Sequence, residues 1–340
     1  RFHPIDGVLA FDRRAGGQSV IGGLYGEATR RTGPWLLAVG ARLDGWETFD
    51  SHRLERDIAT GAVTLDLRQG SRGGVIPSGR AGARLDIGAG GYLRSAAYSS
   101  FRVPTLNELY RPFRVANDIT EANAALVPER LLGIETGAGG QAGPVRWSAT
   151  FFYNRLEDAV TNVTVAFGPL LDPVAGFIPA GGVLRQRRNV GAVNAYGVEA
   201  DASARLAANL TGHAAVSWTH ASVDGGAAAP QLTGLAPAQT PRLSADGDLA
   251  WRAGARLTLT ADLRYESARF DDDLNRRRLA AAAAFGARLE WRLNSAATIF
   301  VAADNLFDTD VATGQTAGGV TSYGPPRTVA AGFTISSFPR

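Results

Sequence analysis

Every odd residue from Leu257 to Tyr265 is apolar or aromatic, and every even residue from Arg256 to Glu266 is polar or charged. Successive side chains on a strand point to opposite faces, so the pattern predicts a strand with one greasy face and one charged face. Trp35, Leu37, Val39, Ala41 and Leu43 repeat it opposite Arg42 and Asp44. Val145, Trp147, Ala149, Phe151 and Tyr153 do so opposite Arg146, Ser148, Thr150 and Asn154. Tyr196, Val198, Ala200, Ala202, Ala204 and Leu206 do so opposite Glu199, Asp201 and Arg205. The alanine-rich run from Leu279 to Phe285 favours helix by propensity. Phe285, Leu289, Trp291 and Leu293 nevertheless alternate with Arg288, Glu290 and Arg292, which predicts strand.

Alternation alone also fits a soluble sandwich, and the connections separate the two cases. Short turns fall near Arg31-Pro34, Gly88-Gly91, Gly139-Pro144, Ala207-Asn209, Arg252-Ala255 and Asn294-Ala296. Longer segments lie between them, about Phe49-Gly73, Arg102-Pro128, Asp158-Ala192, Ser222-Thr240, Ser267-Arg278 and Leu306-Pro325. Strict parity of short turns and long loops is the layout of an outer-membrane barrel. The expected fold is therefore all-β: an antiparallel, up-and-down transmembrane β-barrel wall. Strands after Gly17, with Ile5 to Arg13 adding one more, bring the expected total to about 14. Each is long enough to cross a bilayer, for which about 9–11 tilted residues suffice. Trp46, Tyr98, Trp218 and Trp251 are expected at the two membrane interfaces, where amphipathic rings collect.

Composition narrows the function classes. The 340 residues contain no cysteine, which excludes disulfides and thiolate metal sites. All 35 cationic side chains are arginine, a compositional bias, and the net charge of +3 is scattered. No basic stripe or recognition helix supports nucleic-acid binding. The longest apolar run, Leu279 to Ala287, is far short of the roughly 20 residues of a membrane-spanning helix. No phosphate loop, dinucleotide fingerprint or nucleophile elbow occurs, and the histidines (His3, His52, His213, His220) are isolated. His213 and His220 fall on opposite faces of one strand. No catalytic site and no cofactor are expected. The chain starts at Arg1, so its natural N-terminus is expected upstream.

Several phrases carry a family resemblance. Phe101-Arg102-Val103-Pro104-Thr105-Leu106-Asn107-Glu108-Leu109-Tyr110 resembles the "F-R-x-P-T-L-N-E-L-Y" of TonB-dependent outer-membrane receptors, where the chain leaves the bilayer for a large extracellular loop. Glu121-Ala122-Asn123-Ala124-Ala125-Leu126-Val127-Pro128-Glu129 resembles that family's approach to the next strand, and Asn154 to Val160 its strand exit. Arg188-Asn189-Val190 with Tyr196-Gly197-Val198-Glu199 is similar to "N-x-x-x-x-x-x-G-v-E". Asn305-Leu306-Phe307-Asp308 and Tyr323-Gly324-Pro325-Pro326-Arg327-Thr328 resemble the closing phrases. The chain departs from the family at its end, where Phe338 is followed by Pro339 and Arg340.

The resemblance implies that residues 1–340 are the C-terminal part of a receptor barrel, with the plug domain, the TonB-contacting box and the first strands outside this sequence. It implies energy-coupled uptake of a scarce solute, such as a ferric siderophore or cobalamin, across the outer membrane of a Gram-negative bacterium. The partners are then TonB, reached through the missing N-terminal region, a small-molecule ligand such as an iron chelate, and outer-membrane lipid. The alternative is a passive porin-like or structural barrel. Arg42, Asp44, Asp201, Arg256, Asp262, Arg264 and Glu290 would line the lumen.

Candidate ligand contacts lie on the long loops. Arg102, Asn107, Tyr110, Arg111, Phe113 and Arg114 suit an anionic ligand through charge-assisted hydrogen bonds, or else they fold their own loop. Arg185, Arg187 and Arg188 either meet an anion or form a solvated rim against lipid phosphates. Asp271, Asp272 and Asp273 offer clustered oxygens for Ca²⁺, or form a solvated acidic tip paired with Arg276, Arg277 and Arg278.

Overall fold

The alternating segments pair with their neighbours in sequence. In a computed structural model that describes residues 10–335, fourteen strands form one antiparallel sheet. They are β1 (Phe11–Thr32), β2 (Trp35–Asp57), β3 (Val63–Gln69), β4 (Arg72–Gly88), β5 (Gly91–Arg102), β6 (Glu129–Ala142) and β7 (Val145–Glu157). β8 (Ala192–Ala207), β9 (Leu210–Asp224), β10 (Leu243–Ala253), β11 (Leu257–Glu266), β12 (Ala282–Arg292), β13 (Ala297–Asp304) and β14 (Thr328–Ile335) complete it. Each strand pairs with the next except β3, which among the described residues pairs only with β2; β3 and β4 share one edge of the long β2. Among the described residues, no pairing joins β1 to β14.

Two expectations need correction. Phe11 to Arg13 do not belong to a separate opening strand; they begin β1, which runs on to Thr32, and residues 1–9 lie outside the described residues. The fourteenth strand is instead Val63–Gln69, inside a segment expected to be loop, because β2 continues past Phe49 and gives β3 an edge to pair with. The alanine-rich run is strand from Ala282, as its alternation requires. The departure at Phe338 lies outside the described residues.

One face of the sheet is apolar and bare. Leu24, Val39, Ile134, Leu249, Trp291 and Phe333 are all exposed there, Leu24 to 85 % and Phe333 to 73 %. Cross-strand partners keep the band continuous, as in Leu257↔Trp291, Trp291↔Ile299 and Ile299↔Phe333. An exposed apolar surface of this extent belongs against lipid, not water. The opposite face carries ion pairs between residues two apart on one strand: Arg42–Asp44 at 2.6 Å, Arg84–Asp86 at 2.8 Å and Arg288–Glu290 at 2.8 Å. Period-2 geometry puts i and i+2 on the same side.

Tryptophan marks one rim. Trp35 opens β2, Trp147 lies near the start of β7, and Trp251 and Trp291 lie near the ends of β10 and β12, all beside short turns and all exposed on the apolar face. Trp218 lies on the same face toward the long loops. Trp46 and Tyr98 depart from expectation. Trp46 is even-numbered like Arg42 and Asp44, and Tyr98 pairs across to Arg80 and reaches Asn154 with its hydroxyl at 3.0 Å, so both lie on the polar face.

Water-type cores sit in the loops rather than in the wall. Leu126, Val163, Ile178, Leu232 and Leu279, all nearly inaccessible, belong to long connections. Val163 and Val190 pack with Val223, Ala229 and Leu232, tying two connections together. Ile119 packs with Ala175, Ile178 and Leu184. Each such side chain contributes roughly 1.5–3 kcal/mol when fully buried. The loops are therefore a folded cap.

Candidate solute-binding site

The cap is built from the segment after β5. Thr105 caps the five-residue helix α1 (Leu106–Tyr110): the Glu108 amide donates to its hydroxyl, and Glu108 accepts from the Thr105 amide at 2.7 Å. This reciprocal capping box satisfies amides that a helix start leaves unpaired. Arg102 donates to Glu108 at 2.8 Å and to Glu129, clamping the helix to the next strand. Burial works against the Glu108 carboxylate, but the bonds from Arg102 and Thr105 outweigh it and hold its pKa below the ordinary carboxylate range. Leu109 and Tyr110 are buried with Leu126 against Ala15 of β1.

Arg187 reaches the other end of the helix from the loop after β7. Its Nη1 donates to the carbonyls of Asn107 at 2.6 Å and Arg111 at 3.0 Å, and its guanidinium lies 5.1 Å from the Phe113 ring centre. A cation at a helix C-terminus satisfies orphan carbonyls and complements the dipole. Burial lowers its pKa, with Glu108 and Glu121 pulling it back. Asn123 donates to the Arg187 carbonyl at 2.9 Å.

These two loops also share backbone. Val160–Phe167, Val183–Asn189, Asp118–Glu121 and Phe113–Val115 form a second sheet in that order. Asp118–Glu121 runs parallel to Val183–Asn189, with Leu184 beside Ile119 and Gln186 beside Glu121. A buried ion pair, Arg53–Glu121 at 2.9 Å, fixes this sheet to β2.

The sequence-predicted arginines thus fall into two groups. Arg102, Arg114, Arg185, Arg187 and Arg188 hold the cap: Arg114 donates to the Ala116 and Phe177 carbonyls, Arg185 pairs with Asp118 at 3.2 Å, and Arg188 donates to Gln186 and the Ala228 carbonyl. Arg111 is exposed with no side-chain partner among the described residues, and Asn107 and Phe113 are exposed beside it.

The acidic triplet is not a solvated tip. Asp272 and Asp273 are buried. Asp273 accepts from the Thr164 amide and hydroxyl, both at 2.7 Å, and Asp272 accepts from the amides of Arg276 and Arg277. Asp271 accepts from Gln239 at 2.5 Å and from the Gln315 amide at 3.1 Å. Alternation and loop pairing send the three carboxylates to different donors. No group of three or more His, Asp or Glu ligands forms among the described residues. His213 bonds Asp201 at 2.5 Å on the polar face, while His220 lies against Tyr196 on the other.

Five long connections converge on a cavity of about 470 Å³. Phe113, Asp118, Thr161, Asn162, Arg185, Ala236, Asp271, Arg277 and Gln315 are among its lining residues. The volume suits a small molecule, for which sites of about 300–1,000 Å³ are usual. Sequence reasoning picked out Phe113, Arg185 and the Asp271–Asp273 triplet with Arg277, but missed Asp118, Thr161, Asn162 and Gln315. Nothing local marks them; they meet only because separate loops pair.

Comparison with known proteins agrees with this architecture. The siderophore receptor PiuA from Acinetobacter baumannii superposes with a TM-score of 0.71 at 15% identity, over 96% of this chain and 44% of its own. The ferric yersiniabactin uptake receptor FyuA from Yersinia pestis gives 0.73 at 17% identity, over 97% and 47%. The copper transporter OprC gives 0.76 at 19% identity, over 94% and 48%. The chain spans about half the length of these structures, and at such identities the likeness is one of fold. No curated protein matches the sequence. The family described as TonB dependent receptor-like, beta-barrel matches residues 2–306, nine-tenths of the chain, and the protein belongs to that family.

Proposed function

We propose that this chain is the wall and cap of an outer-membrane receptor in a Gram-negative bacterium, and that the complete protein imports a scarce small solute by TonB-dependent coupling. Its N-terminal plug and TonB-contacting segment would precede Arg1. A ferric siderophore or cobalamin is the proposed class of cargo, bound without a resident cofactor and without chemical change. The observation that carries the proposal is the cavity beneath five fused loops, set on a wall whose other face is bare and apolar. Recognition on loops held by a rigid scaffold is the general arrangement for binding proteins. Phe113 in the cavity wall, and the exposed Arg111 and Asn107 beside it, are the proposed solute contacts.

The test is uptake by cells carrying or lacking the full-length gene, in backgrounds with and without TonB, under metal limitation. Loss of uptake on removing either component supports the proposal. Uptake that needs the gene but not TonB would assign the chain to a passive barrel.

A further inference from the structure

The charges around the loop cavity do not suit the anionic solute that an arginine-rich loop suggests. Four aspartates (Asp118, Asp271, Asp272, Asp273) and two arginines (Arg185, Arg277) line it, a formal excess of two negative charges. Both arginines are committed: Arg185 to Asp118 at 3.2 Å and Arg277 to Asp271 at 3.6 Å. Asp272 and Asp273 have no cationic partner among the described residues. Their oxygens are satisfied by backbone amides and the Thr164 hydroxyl, which are dipoles and leave the charge in place. Buried charge beside a small cavity acts through a low effective dielectric, so its reach into the cavity is strong. The remaining wall is neutral: Phe113 offers an exposed ring, and Thr161, Asn162 and Gln315 offer polar groups.

Resting on the uptake reading above, we infer that the cavity selects a metal chelate of positive net charge, one bearing an ammonium or guanidinium group, over an anionic one. A bare divalent ion is the wrong cargo for this site, because the four carboxylates do not converge as ligands. An organic cation of cavity size meets Asp272 and Asp273 through space and donates to the neutral polar wall. The predicted selectivity is electrostatic, so salt weakens it. Exposed arginines at the rim, such as Arg111, lie outside the lining.

The experiment measures binding of three ferric complexes to the purified full-length receptor: a trihydroxamate carrying a free ammonium, an uncharged trihydroxamate, and ferric citrate. The ammonium-bearing chelate is expected to bind about tenfold or more tightly than ferric citrate, and the margin should shrink at high salt. The informative variant is Asn162→Lys, because Asn162 is an exposed residue of the cavity lining whose side chain makes no hydrogen bond among the described residues. It should weaken the cationic chelate and tighten ferric citrate, each by about fivefold to tenfold. Ferric citrate binding most tightly, or a ratio unmoved by Asn162→Lys, overturns the inference while TonB-dependent uptake can still hold. Failure of all three chelates to bind overturns it as well, and the uptake assay then decides the broader proposal separately.

Discussion

A guanidinium does two different things in this protein, and sequence position alone does not separate them. On the strands it neutralises a carboxylate two residues away, as in Arg42–Asp44 and Arg288–Glu290. In the cap it reaches backbone carbonyls, as Arg187 does at Asn107 and Arg111. A single terminal nitrogen of the Arg187 guanidinium bridges both carbonyls. Arg187→Ala should therefore loosen the cap, since charged hydrogen bonds are worth about 1.5–3 kcal/mol each. Limited proteolysis within residues 103–128 should accelerate about tenfold or more, whereas Arg111→Ala should leave proteolysis unchanged and affect only solute binding. The Glu108 clamp carries a pH signature. Its carboxylate pKa is depressed in the folded protein, so its contribution is complete above the unfolded value and is lost as pH falls through the lower folded value. Protection factors at the amides of Thr105 and Glu108, with the intrinsic pH dependence of exchange divided out, should fall in acid below the ordinary carboxylate range and stay flat above it.

At the level of strands, lipid imposes a simple rule, and that rule is why the wall was legible. A charge on the apolar face costs about 2–4 kcal/mol near the bilayer middle, while the polar face tolerates it. Val216→Arg should therefore cut folded yield and lower unfolding stability in vesicles, and Ser217→Arg should cost less than about 1 kcal/mol by the same measurement. Alternation in β11 predicted its faces residue by residue. It fails where the backbone adds a residue: in β2 the buried polar positions switch from Asp44 and Thr48 to Ser51, Arg53 and Glu55, across Asp50 at φ 51°. That bulge hid the upper part of β2 and the existence of β3. The cap was illegible for another reason. Asp118–Glu121 and Val183–Asn189 are more than sixty residues apart, and neither announces that the other will complete it. The phrase from Phe101 to Tyr110 carries its own capping box, which is local, yet none of its residues lines the cavity.

Across the whole molecule, one of the links between wall and cap is a buried ion pair. Arg53 and Glu121 are both buried, and Arg53 Nε and Nη2 and Glu121 Oε1 lack hydrogen-bond partners. Such a pair fixes position more than it adds stability. Arg53→Met alone strands a buried carboxylate and should cost about 3–5 kcal/mol, while Arg53→Met with Glu121→Leu should be nearly neutral by thermal unfolding of the full-length protein. The parallel pairing of two loops has a further consequence for anything that approaches from that side. It meets one continuous folded surface, not separate ribbons. Ile119, Thr120 and Glu121 are buried, and their backbone is taken up in strand pairing. Antibodies raised against the linear peptide 118–124, which has no exposed residue, should therefore stain the denatured chain and miss the native one. The exposed Leu171 and Val174, on the hairpin formed by Leu170–Asp172 and Gly176–Ile178, are where sequence can drift without breaking a neighbouring loop.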